Sequence, residues 1–340
     1  MTDSFPYPFL TKPQLIGQIN HLAALYVPFF FMIDYKAEQG YVIKVDELDA
    51  TFIQFQFESQ HSPSLTLNTE RETRNTEHET CSWNVKPVSL RDYKQKFDFV
   101  QEQIQLGNSF LVNLTQPTKV QSDFSLLELY QQSRAKYKLW IKDSLLVLSP
   151  ETFVEMNGQT ISSYPMKGTI DATIPDAMEI ILNDPKEQAE HATIVDLIRN
   201  DISRVADHVS VKRYRYVEKI KTNKQDIYQV SSQISGRIPD DYRDRLGDIL
   251  VDLLPAGSIS GAPKAKTLEI IQEAEGYERG FYSGICGLFD GKNLDSGVMI
   301  RFIEQNGEEL TFKSGGGITA QSELIKEYEE LIQKVYVPVC

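Results

Sequence analysis

The chain has 340 residues, 41% hydrophobic and 24% charged, enough to bury a large core as one big domain or two smaller ones. Its 35 Lys and Arg stand against 48 Asp and Glu, a formal net charge of -13, which argues against nucleic-acid or anionic-membrane binding while leaving room for a local basic pocket. Three widely spaced cysteines without a C-x-x-C pair (Cys81, Cys286, Cys340), no signal-like N-terminus and no apolar run of membrane-spanning length lead us to expect a cytoplasmic protein with ordinary thiols.

In chain order, Pro13–Leu25 predicts a short helix and Phe29-Phe30-Phe31-Met32-Ile33 a buried strand. Ile53, Phe55 and Phe57 alternate with polar residues, the period of a half-buried strand. Ser59 to Thr80 is polar and charged and predicts a solvated loop. Tyr93–Leu106 predicts an amphipathic helix burying Phe97, Val100 and Ile104, followed by a strand over Phe110–Thr115. Further strands are predicted at Ser144–Leu148, Thr152–Met156 and Thr160–Ser163, the last leading into Pro165-Met166-Lys167-Gly168-Thr169. Near the C-terminus, Tyr282–Phe289, Val298–Ile303 and Leu310–Lys313 read as strands, with Asp290-Gly291 and Asn306-Gly307 as turns. Hairpins interspersed with helices predict an α+β protein with large, mostly antiparallel sheets.

Two helices carry notable carboxylates. One opens at Asp184-Pro185-Lys186-Glu187 with an N-cap, a proline and an acid three residues after the cap. Glu190 falls on its apolar face with Ile194, Leu197 and Ile198, where a carboxylate needs a salt bridge or a bound cation. The other follows Gly315-Gly316-Gly317 and runs from Glu323 to about Tyr336. Its Glu327, Glu330 and Lys334 align at spacings of three and four but well round from the apolar stripe, so periodicity alone makes them a solvated face. The triple glycine permits close backbone approach to a carboxylate, or simply a tight turn.

Pro255 to Glu275 is a glycine-containing turn feeding a helix, with Pro263 near its start, Gly276 past its end and Lys264 beside its N-terminus. Such a turn suits an anion. It is no nucleotide P-loop, because Ala262 and Pro263 occupy the positions of the required glycine and lysine.

Several blocks together resemble the chorismate-utilising enzymes. Gly257-Ser-Ile-Ser-Gly-Ala-Pro-Lys264 resembles their G-[GS]-S-[IV]-[ST]-G-A-P-K block, and Glu190-x5-Asp196-Leu197-Ile198-Arg199-Asn200-Asp201 their E-x5-D-L-x-R-N-D block. Ile300-Arg301, the triple glycine and Glu327-x-x-Glu330-x3-Lys334 follow in the family's order, so that the resemblance covers about residues 88–337. It implies a four-layer α/β/β/α sandwich of two large antiparallel sheets with helices outside. Residues 1–86 would form a shortened N-terminal subregion packed on a chorismate-binding catalytic domain, 87–340.

The resemblance also implies roles for particular residues. Glu190, Glu327 and Glu330 would hold Mg²⁺ on the ring carboxylate of chorismate, hard oxygen donors suiting that ion. Ser258, Gly261, Lys264, Arg301, Gly315, Gly316, Gly317 and Lys334 would line the substrate pocket. Within the family, Lys167 in Pro-Met-Lys-Gly-Thr resembles the P-I-K-G-T of aminodeoxychorismate synthases, where anthranilate synthases resemble P-I-A-G-T. By the family's mechanism the neutral lysine attacks C2 as the C4 hydroxyl leaves, and ammonia then enters at C4 and expels the lysine. That amine is expected to have a lowered pKa. Glu151, in Ser-Pro-Glu-Thr-Phe, would protonate the departing hydroxyl. Leu111 stands where water-activating relatives carry lysine, which argues against water as nucleophile.

Three positions depart from the pattern. Gln229 replaces the histidine of an H-L-V-S-like block, Gly287 stands at the position taken for a substrate-contacting tyrosine, and Leu111 replaces a common glutamine. No G-x-C-x-G glutaminase block is present. The resemblance therefore implies component I of aminodeoxychorismate synthesis, making a precursor of 4-aminobenzoate and folate. Ammonia would come from a separate glutaminase subunit or free ammonium, and a chain of this length is expected to stop at the amino-deoxy intermediate. Component I of anthranilate synthase is the nearest alternative, opposed by Lys167. A non-catalytic chorismate- or tryptophan-binding subunit is the alternative of another class, opposed by the intact glutamates.

Overall fold

The computed structural model describes residues 5–57, 82–220 and 226–337. The polar stretch from Ser59 to Thr80, Cys81 and Cys340 lie outside the described residues. The described strands form two sheets, one of ten strands and one of eight, and all their pairings are antiparallel. Helices cover the outer faces, giving the expected four layers.

The aromatic run shows how the layers are built. Phe29–Ile33 lies inside the larger sheet, and all five side chains are fully buried. Phe29, Phe31 and Ile33 point to a core shared with the Lys12–Ala24, Pro185–Ile202 and Leu246–Leu253 helices. Phe30 and Met32 point the other way, into the core between the sheets with Phe57, Tyr137 and Phe302. A strand buried on both faces reads as a continuous apolar run, because alternation has no polar face to record. On the far face of the smaller sheet, Tyr93, Phe97, Val100 and Ile104 of the Leu90–Gln105 helix pack with Ile270, Ile271 and Leu331.

The chain before residue 87 contributes to both sheets. Phe29–Ile33 pairs with Ile285–Phe289 in the larger one, while Ile53–Phe57 pairs with Tyr137–Ile141 in the smaller. No described helix is long and apolar enough to cross a membrane.

Several predicted elements change. The Val298–Ile303 segment is not one strand. Leu294–Val298 belongs to the larger sheet and Phe302–Asn306 to the smaller, and the residues between them cross from one sheet to the other. Val298, Met299, Ile300, Phe302 and Ile303 flank and cover the crossing with apolar residues, so hydrophobicity alone joins the two strands. Arg301, at the crossing, has φ 51°, a costly conformation for a non-glycine residue that surrounding structure must enforce. The Phe110–Thr115 strand extends to Leu111–Ser122 through Pro117. The triple glycine is not a turn before a helix: it lies within the Glu309–Thr319 strand, with Gly315, Gly316 and Gly317 opposite Thr115, Leu114 and Asn113. The following helix is shorter than predicted, Leu324–Gln333 with Glu323 at its N-cap.

Candidate active site

The Pro185–Ile202 helix is capped by Asp184, whose side chain accepts from the Glu187 amide. The reciprocal bond, in which the Glu187 carboxylate would accept from the Asp184 amide, does not form. Glu187 turns toward the neighbouring Met166–Asp171 strand, where a Cβ on Gly168 would stand 2.9 Å from its Oε2. That oxygen is buried and has no hydrogen-bond partner. One turn on, Glu190 Oε2 lies 2.8 Å from Lys167 Nζ, and its other oxygen is 3.6 Å from Lys186 Nζ. The apolar-face carboxylate is thus paired with the lysine carried by the adjacent strand.

The third side of the cluster comes from the Leu324–Gln333 helix. Glu330 Oε1 lies 2.7 Å from Lys334 Nζ, which also donates to the Gly315 carbonyl at 2.9 Å. Glu327 accepts a 2.7 Å hydrogen bond from Ser322. A Cβ on Gly316 would sit 3.5 Å from Glu327 Oε2, 3.8 Å from Lys334 Nζ and 3.9 Å from Glu330 Oε1. The three charged groups therefore converge over a strand position that has no side chain. Arg301 joins them by donating to the Lys334 carbonyl at 3.2 Å, with its guanidinium 5.2 Å from the centre of the Tyr336 ring.

Glu151 closes the cluster from the larger sheet. Its carboxylate accepts from the Ser258 hydroxyl, and its amide donates to Ser149 Oγ. Burial raises its pKa above the ordinary carboxylate range, against the opposing pull of the Ser258 hydrogen bond, Lys334 and Arg301. A carboxyl group of this kind is suited to keep a proton and give it up to a leaving group. Burial likewise raises Glu187 and Glu327, each with a neighbouring carboxylate adding to the effect. Burial also acts to raise Glu330, but Lys334, Lys167 and Lys186 outweigh it and hold Glu330 low.

Lys167 differs from expectation. Burial pushes its ammonium toward neutrality, but Glu190, Glu330 and Glu187 outweigh burial and hold its pKa above the ordinary lysine value. Unlike Lys167, Lys334 is lowered, chiefly by burial and further by Arg301 and Lys167.

The glycine-rich stretch contributes less to this cluster than its motif suggests. Ser258 reaches it through Glu151, but Gly261 and Lys264 are engaged elsewhere. Gly261, at φ 145°, pairs in a two-residue strand with the Leu111–Ser122 strand, and a Cβ there would stand 1.8 Å from the Leu111 carbonyl oxygen. Lys264 Nζ lies 2.8 Å from Asp201 Oδ1 and donates to the Leu253 carbonyl at 3.2 Å. Asp201 also receives the Gly257 amide, so this ion pair fastens the loop to the Pro185–Ile202 helix. The loop has a second anchor in Arg279, which is buried with Glu275 in a 2.6 Å ion pair and donates to the carbonyls of Ile259 and Asn113. Pro263 is the N-cap of the helix that follows, Lys264–Glu275, which ends at Gly276 with φ 65°.

The remaining motif positions are placed plainly. The Leu111 side chain lies over Gly317, where a Cβ would be 2.9 Å from its Cδ1. Gln229 stands opposite Thr169, two residues beyond Lys167. Gly287 is in the Ile285–Phe289 strand, where a Cβ would meet the Phe31 ring at 2.4 Å. Its smallness serves core packing. Sequence reasoning missed Glu187 and His191 as parts of this region. Spacing three residues before Glu190 was the available signal for Glu187, since such a pair shares a helix face. His191 is fully buried, with Nε2 2.7 Å from Ser232 Oγ and Nδ1 3.3 Å from the Lys167 carbonyl. Burial lowers its pKa and favours the neutral ring.

Among the described residues, no three His, Cys, Asp or Glu side chains are gathered closely enough to hold a metal ion as they stand. Lysines occupy that position electrostatically: Lys167 and Lys186 at Glu190, and Lys334 at Glu330. The donor chemistry nevertheless suits a hard divalent cation, with carboxylates from two helices and the unpartnered Glu187 oxygen nearby.

The sequence pattern of the family described as chorismate binding enzyme matches residues 9–339. An "Uncharacterized PabA-like protein" of Haemophilus influenzae is 46% identical over 329 residues, 97% of this chain and 98% of that protein. "Aminodeoxychorismate synthase component 1" of Escherichia coli is 33% identical over 275 residues, 75% of this chain but only 58% of that longer relative. Among solved structures, anthranilate synthase component I from Streptococcus pneumoniae shares the fold with TM-score 0.68 at 21% identity, covering 98% of this chain and 81% of that one. With the blocks, the four layers and the family pattern in agreement, the chain belongs to the chorismate binding enzyme family.

Proposed function

We propose that this enzyme aminates chorismate at C4, giving 4-amino-4-deoxychorismate for 4-aminobenzoate and folate synthesis in the cytoplasm. The observation that carries this reading is Lys167, an amine 2.8 Å from Glu190 amid the charges of Glu330 and Glu187. An alanine there would supply no nucleophile. Likeness to the Escherichia coli aminodeoxychorismate synthase component 1 supports the same choice.

In this reading Arg301 and Lys334 grip the substrate carboxylates, the arginine by a bidentate fork, beside Gly315, Gly316, Gly317 and Ser258. Glu190, Glu327 and Glu330 would hold Mg²⁺, which when bound draws electron density toward the departing hydroxyl and offsets the carboxylates that keep Lys167 protonated. Neutral Lys167 Nζ forms a bond to C2, the ring double bonds shift, and the C4–O bond breaks. Glu151 supplies the proton that lets the hydroxyl leave as water. Ammonia then bonds to C4, the double bonds shift back, and the C2–N bond breaks to return the lysine. Chorismate and ammonia become 4-amino-4-deoxychorismate and water. Ammonia comes from a separate glutaminase subunit, and free ammonium substitutes for it in vitro.

The test is incubation with chorismate, Mg²⁺ and ammonium, followed by an aminodeoxychorismate lyase. Release of 4-aminobenzoate is expected, and anthranilate in its place overturns the assignment. Absence of turnover under any ammonia supply favours a chorismate-binding subunit. Lys167→Ala should abolish amination or redirect it to C2, and unchanged C4 product from that variant would remove Lys167 from the mechanism.

A further inference from the structure

Lys167 reaches the carboxylates from an irregular strand. The pairing of Met166–Asp171 with Ile227–Arg237 shifts register between Met166 and Thr169, and Gly168 inside the shift has φ 95°. The regular ladder is therefore interrupted where the lysine needs a fixed backbone. A side chain fills that role: His191 Nδ1 stands 3.3 Å from the Lys167 carbonyl oxygen.

The protons in this contact can be assigned by chemistry. A carbonyl only accepts, so Nδ1 carries the proton, and Nε2 of the neutral ring must accept. Ser232 Oγ is 2.7 Å from Nε2 and supplies its hydroxyl proton there. The same Ser232 oxygen accepts from the Arg215 amide at 2.9 Å. The chain runs in one direction, from Arg215 N–H to Ser232, from Ser232 to His191, and from His191 to Lys167. Arg215, at φ 48°, also donates through its guanidinium to the carbonyls of Ile181 and Leu182 at 3.1 and 2.8 Å. Those carbonyls belong to the Ala177–Asn183 helix, the element that follows the Lys167 strand. Both ends of the Lys167 segment are tied to one relay.

We infer that His191, oriented by Ser232 and the Arg215 backbone, is a positioning residue that sets the backbone of Lys167 and so aims its amine. The inference rests on Lys167 being the nucleophile for its effect on turnover, but not for its effect on the lysine itself. His191→Leu removes the donor, His191→Asn keeps an amide N–H near the Nδ1 position, and Ser232→Ala removes the orienting hydroxyl together with the acceptor of the Arg215 amide.

The full-length variants are tested in two ways. The first is the rate at which Lys167 of the free enzyme is labelled by an amine-acylating reagent, followed by peptide mass spectrometry. The second is kcat and KM for chorismate with ammonium. A displacement of about 1 Å at a reacting group costs up to about a hundredfold in rate. His191→Leu should therefore lower kcat about 10- to 100-fold with KM for chorismate within about twofold. Lys167, freed from its pair with Glu190, should be labelled several-fold faster. Ser232→Ala should move both readouts the same way by less, and His191→Asn should restore most of the loss.

Unchanged Lys167 labelling and kcat in folded His191→Leu overturns the inference, as does a fall in kcat that His191→Asn does not relieve. If His191→Leu does not fold, Ser232→Ala decides: unaltered labelling and kcat there are equally fatal. Should Lys167→Ala still give C4 product, the mechanism fails, yet the labelling rates still decide whether His191 positions the lysine.

Discussion

Gly315, Gly316 and Gly317 look equivalent in sequence and are not equivalent in the structure. A methyl group added at Gly315 would stand 2.5 Å from Thr115 Cγ2 and 2.7 Å from the Leu114 carbonyl oxygen. Normal contact is about 3.5–4 Å, so roughly 1 Å must be recovered. The carbonyl belongs to the paired strand and cannot retreat without disturbing the ladder. Gly315→Ala should therefore lower stability by about 1–3 kcal/mol. At Gly316 the nearest atoms to the added methyl are 3.5–3.9 Å away, all from the side chains of Glu327, Lys334 and Glu330. Gly316→Ala fits, and relieving the unfolded chain of a glycine should stabilise it by about 0.4–1 kcal/mol. The methyl nevertheless covers the surface on which the three charged groups converge, so KM for chorismate should rise about tenfold or more, roughly 1.4 kcal/mol of lost binding. Gly317 is intermediate, since its methyl would meet only the movable tip of Leu111 at 2.9 Å. Urea denaturation and chorismate kinetics on the three variants decide the matter. A stable Gly315→Ala would refute the packing argument, and a Gly316→Ala with unchanged KM would show that this face is not part of the pocket.

Lys264→Met should cost about 3–5 kcal/mol in urea denaturation, because it strands the buried Asp201 carboxylate, while adding Asp201→Leu should recover most of that loss. A single variant as stable as the parent would return Lys264 to the list of candidate substrate contacts. Glu151 has a folded pKa raised above its ordinary 4.5, so the folded chain retains a proton that the unfolded chain releases. Stability should fall as pH rises from about 4.5 through the raised value, and Glu151→Gln should make that slope shallower by the share of this group, leaving the parts due to Glu187 and Glu327. Parallel stability profiles for parent and variant would refute the burial assigned to this carboxyl.

Much of the fold is legible because burial leaves a period in the sequence. The alternation of Ile53, Phe55 and Phe57 and the stripe through Phe97, Val100 and Ile104 each identify an element and its inward face. Glu190 is legible for the same reason, as a carboxylate that interrupts an apolar stripe. Glu327 and Glu330 are not, because hydrophobic periodicity records only apolar cover, and their face of the Leu324–Gln333 helix looks toward the Gly316 surface and three lysines, Lys167, Lys186 and Lys334. Motif order makes them visible where period does not. Arg301 illustrates what local pattern cannot carry. Its position depends on the chain leaving one sheet and entering the other, and the residues on either side are apolar in both. Gly261 and Lys264 stand apart from the carboxylate cluster for a related reason. A residue can belong to a functional block by building its backbone, as Gly261 does against the Leu111 carbonyl, without facing the reactants.

Charge balance gives the cluster its internal logic. Five carboxyl groups, Glu151, Glu187, Glu190, Glu327 and Glu330, share it with four cations, Lys167, Lys186, Lys334 and Arg301. Burial raises three of the carboxyls toward neutrality, which is how like charges in a confined space reduce their repulsion. A dicarboxylate brought here adds two negative charges to a site whose lysines are already engaged by glutamates. As the proposed carboxylate grips, Arg301 and Lys334 would not serve the substrate fully while Lys334 also neutralises Glu330, and Lys167 would not act as the proposed free amine while it neutralises Glu190. The divalent cation proposed for the glutamates would resolve both conflicts together, because it would relieve the lysines of their partners and attract the incoming carboxylate. In the proposed mechanism the metal, the anion grips and the amine would form one electrostatic unit. The same glutamates that hold Lys167 protonated are those proposed to bind Mg²⁺, which couples occupation of the metal site to the nucleophile's readiness to react.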